Sequence, residues 1–178
     1  GLRMTVRDER GMPGTPGADG PFEETFVARG GTVDFVDFLA PDTPLTSTWR
    51  LAGSGTFTET VPMLDERGHL TSQEVERECE VDVALRWGTG YDTEVRSFVN
   101  IIATPKGGTH VAGFEQALVK TLRKQVEANA RRLKLGAKET AGERIEKDDV
   151  MAGLTAVLTV RLAEPQFEGQ TKEVLGTA

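Results

Sequence analysis

The run Cys79-Glu80-Val81-Asp82-Val83-Ala84-Leu85-Arg86-Trp87 is apolar at every odd position and mostly charged at the even ones. Only an extended strand sorts a period of two onto separate faces, so this segment must lie in a sheet with one face on a core and the other wet or covered by polar contacts. Gly88-Thr89-Gly90-Tyr91-Asp92 supplies turn residues, and Glu94 to Ala103 is read as the returning partner of a hairpin. Thr104-Pro105-Lys106-Gly107-Gly108 stops it. Thr109 then stands where a cap belongs, ahead of a long helix whose apolar residues Phe114, Leu118, Leu122, Val126, Ala130 and Leu133 recur at helical steps until Gly136.

The flanking segments give weaker versions of the same signals. Leu2 to Arg7 and Phe22 to Ala28 read as strands joined by a Gly/Pro-rich loop, Asp8 to Pro21, that excludes regular structure. After Gly30-Gly31, residues Val33, Val36 and Leu39 with Phe35 and Phe38 fit a short helix ended by Pro41. Thr48 to Ala52 and Thr56 to Val61 are strand candidates around Gly53-Ser54-Gly55, and the polar Leu64 to Glu76 reads as loop. Asp149 to Leu154 is a short helix with Asp148 and Asp149 at its start, and the nearly all-apolar Thr155 to Leu162 is a last strand closed by Pro165. Paired strands followed by helices, without strict alternation, predict an α+β fold, a mainly antiparallel sheet with helices on one face, in one domain spanning 1–178.

Chemistry is sparse. The chain has no GxxxxGK[ST] loop, no GxGxxG opening a helix and no His/Cys set at metal spacing. His69 reads as plain surface and His110, beside a helix start, as a hydrogen-bonding anchor before a catalyst. The single cysteine, Cys79, cannot form an internal disulfide and fits a strand as a small buried thiol. No segment is long and apolar enough to span a bilayer and none reads as a targeting signal, so no membrane is expected and the cytoplasm is the expected compartment. Gly1 without an initiator methionine and the end at Leu175-Gly176-Thr177-Ala178 read as an excised domain.

The net charge of −7 argues against a uniform coat for nucleic acid. Its distribution is uneven: residues 116–138 hold seven Lys/Arg against Glu127 alone, so that stretch is +6 and the remainder −13. Lys120, Arg123, Lys124, Arg131 and Arg132 form the basic face of the long helix. A solvated face is the first reading of it, with contact to DNA the second.

Packing alone does not account for Glu164-Pro165-Gln166-Phe167-Glu168-Gly169-Gln170-Thr171-Lys172. Phe167 can pin such a loop, Gly169 allows a tight path, and Gln170 and Lys172 then project as a neutral donor and a cation; such a tip suits an anionic target, but on the residues alone an exposed loop with an ordinary lysine is the first reading. Phe167-Glu168-Gly169-Gln170-Thr171-Lys172, continued by Leu175-Gly176, resembles the phosphate-contacting loop of the B subunits of bacterial type II DNA topoisomerases, gyrase and topoisomerase IV. Asp149 to Val157, Gly107-Gly108-Thr109-His110 with Gly113-Phe114, Ala117 and Leu118, and Val83 to Trp87 with Gly90-Tyr91 and Ser97-Phe98 resemble further stretches of that family. Asp8-Glu9-Arg10 and Gly30-Gly31 also fall in place, so the match runs in order over nearly the whole chain.

The resemblance implies the transducer, or second, domain of such a subunit, with a fold like domain 2 of ribosomal protein S-five and a left-handed β-α-β crossover. In that family a preceding domain, absent here, binds ATP and Mg2+ and holds the base and the lid. The loop residues matching Gln170 and Lys172 touch the γ-phosphate, with Lys172 stabilising charge during hydrolysis. The implied partners are the topoisomerase A subunit and double-stranded DNA, with ATP-dependent homodimerisation of the full-length B subunit, and the isolated chain is expected to be inactive. Two positions depart from the family pattern. Asn100-Ile101-Ile102 stands where an asparagine pair often precedes isoleucine, and Glu115 stands where many members carry an arginine that would face DNA. The competing readings are a stand-alone nucleic-acid module built on the basic helix and the transducer of a mismatch-repair or chaperone ATPase.

Overall fold

The structure is a computed structural model that describes residues 2–9, 22–65, 67–134 and 145–176. A five-stranded sheet forms its centre, in the order β3-β4-β7-β5-β6, from β3 (Trp49–Leu64), β4 (Leu70–Trp87), β5 (Glu94–Val99), β6 (Ile102–Ala103) and β7 (Leu154–Leu162). Strands β1 (Arg3–Asp8) and β2 (Phe22–Val27) pair with each other as a separate antiparallel ribbon. Three helices complete the described residues: α1 (Thr32–Leu39), α2 (Thr109–Ala128) and α3 (Lys147–Met151).

The strand over Cys79–Trp87 is present as read, but its neighbour is not the returning segment. β7 lies between β4 and β5, antiparallel to the first and parallel to the second, so Glu94–Val99 joins β4 only through β7. Composition explains the insertion: a strand apolar on both faces is stable only where both faces are covered, in mid-sheet. Leu154, Ala156 and Leu158 are at most 1% exposed on one face and Val157 is 1% exposed on the other. The parallel neighbours β5 and β7 are joined by a β-α-β connection that passes through α2.

The α+β class and the mainly antiparallel sheet are as expected, whereas the helices occupy both faces. Val111, Phe114 and Leu118 of α2 and Met151 of α3 pack on Val83, Leu85, Leu154 and Leu158. The opposite face is closed by α1, with Val36 fully buried between Ala84 and Val157, and with Phe35 6.2 Å from Phe98, ring centre to ring centre. At the C-terminal end of β4 the even positions Ala84 and Arg86 are therefore covered, which makes Arg86 a buried cation: it donates to the carbonyl of Asp42 at 2.9 Å and pairs with Asp37 at 3.4 Å, holding the end of α1. Phe38, counted on the apolar face of α1, is exposed instead. At 3.6 residues per turn it lies about 160° from Val36.

Four further segments depart from the sequence reading. Trp49–Leu64 is one continuous strand, not two broken at Gly53-Ser54-Gly55, and Leu70–Glu76 is strand rather than loop, because the two segments pair residue for residue from Trp49↔Leu85 to Leu64↔Leu70. The segment 94–103 is split by a two-residue turn, Asn100-Ile101, with φ of 46° and 69°. Asn100 uses its side-chain amide as a strand would use a peptide group, donating to Leu162 O at 2.6 Å and accepting from Leu162 N at 2.9 Å. Helix α2 ends at Ala128, and Leu133 is exposed. The reading of 10–21 as loop and the helix end at Gly136 lie outside the described residues.

Cys79 is half-buried, and burial, with Glu80 beside it, raises its thiol above the ordinary range, as suits an inert packing residue. His69 is exposed next to Asp65.

Candidate functional site

The segment after β7 folds back on itself as a short ribbon. Glu168 N donates to Val174 O at 2.9 Å and Gly176 N to Gln166 O at 2.8 Å, with Phe167 paired to Leu175. At its tip Gly169 takes φ 79° and Lys172 φ 56°, and Gln170 and Lys172 are both exposed. The Lys172 ammonium lies 5.9 Å from the centre of the Phe167 ring, and among the described residues no carboxylate pairs with it. A neutral donor and a cation thus face solvent on a tip whose base is tightly bonded.

That base is welded to the start of α2. Leu175 is 2% exposed; its N–H donates to Gly107 O at 3.1 Å and its carbonyl accepts from Thr109 N at 3.1 Å. The N-cap residue is Gly108, with Thr109 the first helical residue, and the Leu175 carbonyl takes one of the helix-end N–H groups that have no partner within the helix. Gly108 has φ 134°, and a Cβ there would stand 2.6 Å from Leu175 N, so the two segments meet this closely only through glycine. Two motifs separated by some sixty residues in the sequence are therefore one structural unit.

Behind this junction runs a buried polar chain. Thr104 Oγ1 lies 2.7 Å from Ser97 Oγ and 3.1 Å from His110 Nε2, and Ser97 Oγ donates to Thr104 O at 3.0 Å. His110 is the anchor that the sequence indicated, joining α2 to β5. Its Nδ1 is buried without a partner, and burial lowers its pKa below the ordinary value, so the ring is held neutral. The Ser97–Thr104 link was not legible, since two hydroxyl residues seven apart carry no signal until a strand and a turn face each other.

The basic residues separate. Lys120, Arg123 and Lys124 lie on α2, whereas Arg131 and Arg132 follow its end, exposed. Arg123 is engaged locally, donating to Ile145 O at 2.7 Å with Glu146 4.0 Å away. The groove between α2 and α3 is lined by Lys120, Arg123 and Lys124 together with Glu115, Glu127 and Glu146, so its charge is mixed. Glu115, which departs from the family arginine, has a partner of its own in Lys147 at 2.6 Å.

This α+β architecture is that of the ATPase regions of bacterial type II topoisomerases. The 43K ATPase domain of Thermus thermophilus gyrase B, solved with an aminocoumarin, aligns with 86% of this chain and 34% of its own, at 27% identity and a TM-score of 0.61. The ATP-binding domain of Francisella tularensis topoisomerase IV shares the fold at a TM-score of 0.54 and 22% identity, over 87% of this chain and 34% of its own. The DNA gyrase B family model matches residues 31–178, and the chain belongs to that family. It is 36% identical to the gyrase B protein of Cytophaga aurantiaca over 100% of this chain and 31% of that protein, and 35% identical to that of Streptomyces coelicolor over 99% and 24%. The chain thus spans less than a third of the length of these relatives.

Proposed function

We propose that this chain is the ATP-coupling transducer domain of a type II topoisomerase B subunit, in which Gln170 and Lys172 contact the γ-phosphate of ATP held with Mg2+ by a preceding domain. The observation that carries this reading is the exposed Gln170/Lys172 tip, whose lysine pairs with no carboxylate among the described residues, on a base bonded to α2 through Leu175. A compact ammonium bonds strongly to a terminal phosphate and loses most of that attraction once the phosphate leaves. A tip rooted in a different domain from the nucleotide therefore ties the angle between the domains to nucleotide state. Because the tip is bonded to the first residues of α2, a displacement of Lys172 is passed to α2 and, through His110 and Thr104, to the sheet. The A subunit, double-stranded DNA and a second copy of the B subunit are the partners this role requires, in the cytoplasm.

The test is Lys172→Ala in the full-length protein assembled with its A partner. ATP turnover and strand passage fall about a hundredfold or more, since an electrostatic contact in a closed site has that weight, while ADP affinity and melting temperature hold. Gln170→Ala acts in the same sense more mildly. Normal turnover in Lys172→Ala sinks the assignment. The isolated chain is expected neither to hydrolyse ATP nor to bind it saturably in calorimetry. The mixed charge of the α2 groove favours the solvated-face reading, so DNA contact through α2 should be weak and abolished by moderate salt.

A further inference from the structure

Glu173 directly follows Lys172, and an ionised carboxylate beside a lysine that meets phosphate is a liability. It repels the incoming anion and competes for the ammonium. In the structure that carboxylate is already bound. Its Oε2 accepts from Lys106 Nζ at 2.6 Å and from Thr171 Oγ1 at 3.3 Å, and its carbonyl accepts from Lys106 N at 3.2 Å. Lys106 sits on the turn leading to Gly107-Gly108, the same turn that receives Leu175. It thus binds Glu173 with both its backbone and its side chain, and through the Thr171 hydroxyl it reaches the residue between Gln170 and Lys172. The ammonium of Lys106, as hydrogen-bond donor first and as charge second, holds the Glu173 carboxyl below its ordinary range, so the anion stays ionised and matched.

We propose that Lys106 is a positioning residue for the phosphate-contacting tip: it neutralises Glu173 and turns that carboxylate away from Lys172, leaving the Lys172 ammonium free for phosphate. The proposal rests on the assignment of Lys172 to the γ-phosphate. Lys106 itself touches no nucleotide; it acts through Glu173. The pair is solvent-accessible, with Lys106 exposed and Glu173 half-buried, so it contributes little to folding, and its removal is read in nucleotide handling.

The experiment uses the full-length protein with its A partner and four variants: Lys106→Met, Lys106→Arg, the exchanged pair Lys106→Glu with Glu173→Lys, and Lys172→Ala as reference. In Lys106→Met the KM for ATP rises roughly three- to tenfold, the range of one exposed ion pair plus one unmasked like charge. ADP affinity and melting temperature do not move. Lys106→Arg stays near wild type, and the exchanged pair recovers to within about twofold of it, as one exposed pair replaces another. An unchanged KM in Lys106→Met, or an exchanged pair no better than the single variant, overturns the proposal if Lys172→Ala is inactive. Full activity in Lys172→Ala instead removes the phosphate assignment, and this inference with it.

Discussion

The β3–β4 ribbon is one structure with two environments. From Cys79 to Leu85, β4 is bonded on both edges, to β3 and to β7, and toward its C-terminal end helices lie over both faces. From Leu70 to Glu78 only β3 accompanies it, and apolar side chains at the far end stay in water: Leu64 is 66% exposed and Leu70 74%. The alternation of side chains continues through both halves, so β-pairing alone does not generate a core. What separates them is β7, which covers an edge and brings α2 and α3 with it. A two-stranded ribbon is marginal in water until a third strand or a helix supports it, so stability should be concentrated where β7 pairs and should thin toward the tip.

The largest expected effect tests this contrast directly. Leu158→Ala, at a position 1% exposed in mid-sheet, should cost about 2–5 kcal/mol, whereas Leu70→Ala at the ribbon end should fall within about 0.5 kcal/mol. Urea melts of the two variants measure it. A cost at Leu70 comparable to that at Leu158 would show that the distal ribbon is covered by something in solution.

A smaller effect probes the polar side of the well-covered half. His110 is neutral in the fold because burial lowers its pKa from the ordinary 6.5, while the unfolded chain takes up a proton at that value. A base with a depressed folded pKa contributes stability that is complete above pH 6.5 and is lost as pH falls toward the folded pKa. Thermal melts from about pH 7.5 down to about 5.5 should therefore show the wild type losing stability more steeply than His110→Gln. Parallel slopes would mean that the ring protonates in place and that its buried Nδ1 finds a partner.

The smallest expected effect lies at the rim of the sheet. Ile101 is 91% exposed with φ 69°, a left-handed conformation that a β-branched residue adopts only at a cost. Two-residue hairpin turns of this kind favour asparagine or glycine. Ile101→Asn should raise stability by about 1 kcal/mol, read as a higher denaturant midpoint at unchanged slope. No gain would mean that the turn relaxes in solution, and that the rim of the sheet is closer in character to the ribbon tip than to β7.

Local chemistry was readable along the chain. The period of two in Cys79–Trp87, the helical steps from Phe114 to Val126, the buried character of Thr155–Leu162 and the projecting Gln170/Lys172 loop each express a preference that neighbouring residues settle among themselves. The resemblance added the family, which composition and spacing do not reach. Pairing was not readable, because the edge of a strand carries no side-chain code. Glu94–Val99 looked like the hairpin partner of β4, and only the burial demanded by both faces of β7 placed that strand between them. The same holds at the candidate site. Gln170 and Lys172 were visible as residue types, but Leu175 on Gly107-Gly108-Thr109 and Lys106 on Glu173 join segments distant in sequence. Such contacts arise from backbone groups and common charges whose partners are chosen by the crossover β5–α2–β7, so tertiary structure alone decided what holds the tip in place.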